Sequence, residues 1–213
     1  MLPKFSDDIN DLSGGYHVTG SAAIALQLLE MSESKAAKTV KAQYDRASFG
    51  FRQTDFDGNG CDARDDVLAR DLTSLKFAHA GSCIVQSGIL NDPYTAQTID
   101  FVRGPKTSAA VQIDHVVALE NAWISGAYAW TKAERYRFGN DPYNLLAVDG
   151  SSNQEKGSSS AAYWLPSSKT YQCSYVSRQI GVKTKYRLTI AQSEKQAMLV
   201  VLHSCPHQEL PKE

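Results

Sequence analysis

The stretch VQIDHVVAL at residues 111–119 and the stretch DPYNLLAVDGSSNQEKG at 141–157 constrain this chain most. Residues 109–117 have strand character, and Leu145–Val148 is a second short apolar strand. Between them, residues 119–138 (LENAWISGAYAWTKAERYRF) read as helix, in one or two pieces. Ser151–Ser160 is a turn entering a helix. The order is therefore strand, helical insertion, strand, helix, and the chain as a whole is α+β.

The rest of the chain supplies material around that unit. Residues 1–19 are polar and glycine-containing, a loose lead-in. Residues 20–43 alternate Ala, Leu and Ile with Lys and Glu and read as one or two helices broken near Ser32–Ser34. We expect 1–43 to be an N-terminal lead-in and helical segment, and 44–213 to be the main domain. Residues 44–60 are loop-like. Residues 62–75 place Val67, Leu68, Leu72 and Leu75 at helical spacing. Segments near 83–90 and 97–102 read as strands, with Asn91-Asp92-Pro93 marking a turn. Residues 168–182 and 189–204 predict a closing helical pair.

With 42% hydrophobic residues among 213, the chain has ample core for one large domain. The longest apolar runs, such as AMLVVL, are too short to span a bilayer, so no membrane partner is expected. The net charge of −1 does not advertise nucleic-acid binding, but the halves differ. Residues 1–102 hold 9 Lys/Arg against 14 Asp/Glu, and residues 103–213 hold 13 against 9. The positive half carries the two stretches that open this section.

Cys61, Cys83, Cys173 and Cys205 form no CxxC pair, which disfavours a zinc ribbon. The expected disulfides are Cys61–Cys83 and Cys173–Cys205, each closing a loop within one region, the second across the helical pair. Such bridges imply an oxidising compartment; the alternative is four buried thiols inside a cell. Met1–Ile9 has no basic segment followed by an apolar one, so an exported form is expected to have had its signal removed.

Phosphodiester hydrolysis needs a nucleophile, charge neutralisation at phosphorus and help for the leaving oxygen. Asp114 is a carboxylate of the kind that holds Mg²⁺, and Asn153 offers a neutral carbonyl oxygen. A neutral imidazole at His115 can take a proton from water near pH 7. Adjacent residues on an ideal strand face opposite ways, so Asp114 and His115 share a site only if the strand ends or bulges there.

The run IDHVVAL, then NLLAV, then Asn153-x-x-Lys156 resembles the HNH endonucleases with a ββα-metal core. The longer pattern, DHVVALENAW through NDPYNLLAV to KG, is similar to secreted bacterial HNH proteins of the DUF1524 type; the likeness covers roughly residues 44–206. The resemblance implies a ββα core at about 109–160 within a mainly helical domain carrying a small antiparallel sheet. It implies His115 as general base, Asp114 and Asn153 as ligands of one divalent cation (Mg²⁺ or Mn²⁺), and Asn144 as the residue that orients His115. Lys156 would contact a phosphate. Asn153 stands where the family name has its second histidine. DNA is the expected substrate, with RNA an alternative, with little sequence preference and no small-molecule cofactor. A secreted or cell-surface bacterial nuclease is expected, its oligomeric state open. The rivals are a non-catalytic binding module on the same scaffold and an intracellular nuclease toxin or restriction-type effector.

An arginine usually helps hold the scissile phosphate. Arg64 ranks first, ahead of Arg46 and Arg103; the alternative for Arg64 is a salt bridge to Asp62, Asp65 or Asp66. Asp55, Asp57, Asn59 and Asp66 echo a calcium-binding loop, against the alternative of a polar turn capping the following helix. Trp123 and Trp130 fit a core better than a base-stacking face. Lys183, Lys185 and Arg187 form a basic cluster, either a phosphate contact or a solvated face. His17, His79, His203 and His207 have no partners at metal-ligand spacing.

Overall fold

A computed structural model of the chain describes residues 19–32, 40–50, 55 and 57–212. The lead-in through residue 18 and the expected helix break after Ser32 lie outside the described residues. Within them the elements run α1 (Ser21–Leu28), a 3-10 turn (Arg46–Phe49), α2 (Ala63–Asp71), β1 (Thr73–Phe77), β2 (Val85–Asn91) and β3 (Thr98–Val102). They continue with β4 (Val111–His115), α3 (Leu119–Ile124), α4 (Lys132–Asn140), β5 (Leu145–Asp149), α5 (Gly150–Lys156), α6 (Gln172–Lys185) and α7 (Gln192–His203). The fold is α+β, with two antiparallel sheets: β1-β2-β3, and the ribbon β4-β5.

One helix differs from the sequence expectation. Residues 62–75 do not form a single helix, because α2 stops at Asp71 and Leu72 turns extended (φ −94°, ψ 151°). Thr73–Phe77 then pairs with β2. Leu72 and Leu75 still reach the core, from extended backbone instead of from a helix. The end of α2 is tied to the ribbon, since the Asp71 carboxylate accepts the Ala147 N–H at 2.8 Å. At its start, Asp62 caps α2 by accepting the Asp65 N–H at 2.8 Å. The Cys61–Cys83 disulfide fastens that cap to the segment between β1 and β2.

The β4-β5 ribbon is regular from Val111↔Asp149 to His115↔Leu145. A two-stranded ribbon is marginal alone; this one is covered on both faces. Leu145 and Ala147 of β5, with Val111 and Ile113 of β4, pack on α2, β2 and β3. Leu146 and Val148 face the other way, into a cluster with Tyr94, Tyr175, Ile180 and Leu202. Full burial of a Val or Leu side chain stabilises by roughly 1.5–3 kcal/mol, so the ribbon is held by its two cores.

α1 is part of this packing. Ala22, Ala23 and Leu26 join the cluster of α6 and α7. Its entry is laced to the C-terminal segment: Thr19 and Gly20 N–H donate to Pro206 O, and Leu210 N–H donates to Ser21 Oγ. The Cys173–Cys205 disulfide joins α6 to the end of α7 directly behind this lacing.

β5 passes into α5 without a loop, and Gly150 permits it. A Cβ there would lie 2.0 Å from Ala109 O, which is backbone and cannot swing aside. Gly150→Ala is expected to destabilise the fold by about 1–3 kcal/mol, the usual cost of overpacking. Urea unfolding followed by circular dichroism checks it; an unchanged midpoint would mean that α5 can move freely relative to β4.

Candidate active site

His115 is the last residue of β4 and shares a face with Leu145, its partner in the ribbon. Its ring is fixed from the side: Nε2 lies 2.8 Å from Gly139 O at the end of α4. A carbonyl can only accept, so Nε2 carries the proton and Nδ1 is the basic nitrogen of the neutral ring. Burial, with lesser contributions from the Arg46 and Lys156 charges, pushes the His115 pKa down to about 3. The residue is 4% exposed.

Asp114 points the other way. The ribbon neither ends before His115 nor bulges, so the two side chains lie on opposite faces, Asp114 with Leu146. Lys156 Nζ lies 2.8 Å from Asp114 Oδ1 and 2.9 Å from His115 O. The Tyr94 hydroxyl donates to Asp114 Oδ2 at 2.5 Å. Burial raises the Asp114 pKa, and Lys156 offsets part of that rise. These contacts differ from two expectations. Asp114 stands as the counter-charge of a buried ammonium rather than as a ligand beside His115. Lys156, fully buried, is out of reach of a phosphate.

Asn144 is also placed differently from the expectation. Its Oδ1 accepts from Val117 N–H at 2.8 Å and its Nδ2 donates to Val117 O at 3.1 Å. Asn144 O accepts the Val116 N–H at 2.8 Å. The residue thus clamps the backbone leaving β4, and the imidazole is oriented by Gly139 instead. Gly139 is a glycine for a local reason: a Cβ would meet Phe49 O at 2.7 Å.

A cleft of about 660 Å³ runs beside β4, lined by Arg46, Asp62, Arg64, Arg103, Gln112, Ile113, Asn153 and Gln154, among others. Ile113 precedes His115 by two residues and shares its face. The three arginines come from three elements. Arg46 opens the 3-10 turn. Arg64, on α2, donates to Ser108 O and Val111 O at 3.2 and 3.0 Å. Arg103 pairs with the Asp65 carboxylate and donates to Val85 O at 2.8 Å. On the opposite wall, Asn153 Nδ2 donates to Gln112 Oε1 at 2.9 Å.

A cation shared by Asp114 and Asn153 does not fit this arrangement. Both Asp114 oxygens are engaged, one with an ammonium that would repel a metal ion; Asn153 meets Gln112 through Nδ2, which does not occupy its carbonyl oxygen. Among the described residues no group of three or more His, Cys, Asp or Glu is arranged to hold a metal. In the loop before α2, Asp55 accepts the N–H groups of Gly58, Asn59 and Gly60. Asp57 and Asp66 take the Asn59 side-chain amide. Those carboxylates serve a polar turn that leads into α2.

The remaining basic and aromatic candidates divide. Lys183 is buried and bonded to Asn121, Ser125 and Glu194. Lys185 pairs with Asp141 at 3.0 Å. Trp123 is in the core, its Nε1 donating to Val40 O. Tyr94, Gln112 and Gly139 were not singled out from sequence. One signal existed for Tyr94: the tetrapeptide Asn-Asp-Pro-Tyr occurs at 91–94 and again at 140–143, and both tyrosines are buried.

The fold is an α+β domain with an arginine-bearing cleft beside β4. The chain belongs to the family described as GmrSD restriction endonucleases, C-terminal domain, which matches residues 62–201. It is also 39% identical over 147 residues to a protein of Arthroderma benhamiae named "Uncharacterized secreted protein", covering 68% of each chain. No solved structure matches.

The His115 environment has a measurable consequence. Between about pH 6.5 and pH 3 the unfolded chain binds a proton at this ring and the folded chain does not. Stability is therefore expected to fall as pH drops through that window, by up to about 1.4 kcal/mol per unit. His115→Gln removes the contribution, while the raised Asp114 carboxyl, which acts in the opposite sense, stays in both proteins. Paired urea titrations from pH 7 to 4 check it; parallel curves would contradict a neutral buried imidazole.

Proposed function

We propose that this protein is a hydrolytic nuclease that cuts phosphodiester bonds with His115 as general base. The observation that carries this is the Nε2–H bond to Gly139, which makes Nδ1 the basic nitrogen of a neutral ring on β4, the strand whose Gln112 and Ile113 line an arginine-bearing cleft. Water gives its proton to Nδ1 and its oxygen attacks phosphorus in line. The bond from phosphorus to the 3′-oxygen breaks and that oxygen takes a proton from solvent, leaving a 5′-phosphate and a 3′-hydroxyl. A base with a pKa near 3 is weak in the free protein. A bound phosphodiester anion would offset Arg46 and raise the affinity of the ring for a proton as substrate arrives.

Arg46, Arg64 and Arg103 would meet the charged backbone. Gln112, Asn153 and Gln154 would add neutral hydrogen bonds. Such a lining addresses phosphates rather than base edges, so we assign DNA with little sequence preference as substrate, with RNA to be tested alongside. Two disulfides fit an extracellular setting, and the Arthroderma benhamiae relative is named as secreted. The 4% exposure of His115 favours one rival, a scaffold that binds nucleic acid without cutting it.

Disulfide-intact protein incubated with supercoiled plasmid, with Mg²⁺ and with Mn²⁺, decides between these. Nicking is expected, and His115→Ala should slow it by about 10²–10⁴-fold. Binding without nicking under every condition would establish the rival. Arg46→Ala is expected to weaken binding to all sequences alike and to reduce the slope of log affinity against log salt by about one unit. An unchanged slope would remove Arg46 from the contact surface.

A further inference from the structure

We propose that Lys156 is the positioning residue of His115, and that Asp114 and Tyr94 are present to hold its ammonium in place. The role assigned to His115 rests on its reading as general base; the Lys156–Asp114–Tyr94 contacts do not. Lys156 is at 0% exposure, and a buried ammonium is retained only with partners. Two of its three N–H donors are accounted for by Asp114 Oδ1 at 2.8 Å and His115 O at 2.9 Å. The second bond matters for catalysis. The peptide unit of His115 is gripped on one face of the ribbon by Lys156 through its carbonyl. It is gripped on the other by Gly139 through its ring.

Tyr94 completes the arrangement. Its hydroxyl takes the other Asp114 oxygen at 2.5 Å. Its ring is wedged among Trp164, Tyr171 and Tyr175 at centroid distances of 5.1, 6.2 and 5.6 Å. Asp114 therefore cannot turn toward the His115 face without stranding both a hydroxyl and an ammonium. Asn153 and Lys156, three apart on α5, address Gln112 and Asp114, two apart on β4. In this way the helix sets the strand end that carries the base.

The test is a variant cycle with three readouts. In EDTA, Asp114→Asn is expected to lower Tm by on the order of 10 °C, because it strands a buried ammonium. Adding Lys156→Met to it should recover much of that loss. Lys156→Met should lower kcat about tenfold or more with KM unchanged, through displacement of the ring. It should also shift the His115 imidazole ¹⁵N resonances, which in the wild type report an Nε2–H tautomer. Tyr94→Phe, a milder change, should fold and show smaller shifts in the same direction. Asp114→Asn that leaves Tm in EDTA unchanged, while raising the Mg²⁺ or Mn²⁺ needed for half-maximal cleavage, would overturn the proposal in favour of a metal ligand. Unmoved imidazole resonances and kcat in Lys156→Met would overturn it as well. If wild type cuts nothing, the Tm and ¹⁵N readouts still decide the role of Lys156, and only the nuclease reading is lost.

Discussion

The β4-β5 ribbon has no free face, and much of the molecule is arranged around that constraint. β5 alternates its side chains between two separate cores, while β4 sends Val111 and Ile113 into one of them and Asp114 toward Tyr94 and Lys156 on the other face. Asp114 and His115 are neighbours in sequence and are directed into different environments. One meets tyrosines and an ammonium, the other a helix-end carbonyl. A regular register through His115 makes this division rigid, because slipping by one residue would exchange every inward side chain with its opposite.

Charge is distributed around the ribbon in two tiers. Lys156 and Lys183 are fully buried and neutralised by Asp114 and Glu194. Both pairs lie wholly within residues 103–213, so they leave its basic excess unchanged and contribute nothing to the surface. The cleft cations Arg46 and Arg64 belong instead to the half of the chain that is acidic by count. Formal charge along the sequence is thus a poor guide to where an anion would dock. The proposed docking surface, the cleft, is assembled by the 3-10 turn, α2 and the segment after β3 meeting beside β4.

The order of elements was legible in the sequence because periodicity and turn residues set it locally. Strands β2 to β5 and the closing pair α6 and α7 lie where the patterns place them. The boundary between α2 and β1 was not legible, since Leu72 and Leu75 satisfy helical spacing and strand burial equally well. The site was legible in its cast of residues but less so in their roles. An Asn-x-x-Lys spacing on a helix marks which two residues share a face. Whether that face meets solvent or a strand depends on how α5 crosses β4, which tertiary packing decides. Gly139 contributes through a backbone carbonyl, which no side-chain pattern can reveal.

The lacing of residues 19–22 to residues 206–210 bears on how the molecule resists mechanical load. Tension applied across the two ends would fall first on a few hydrogen bonds, among them Thr19 to Pro206 and Ala22 to Gln208, which open one after another. Unzipping from the C-terminal side then meets Cys205, joined covalently to Cys173 on α6. Beyond that point the pulling force bypasses the loop 173–205 and passes to the segment before α6, so α7 is not peeled away. The disulfide therefore shields the closing helical pair, while the ribbon, N-terminal to Cys173, stays in the path of the load.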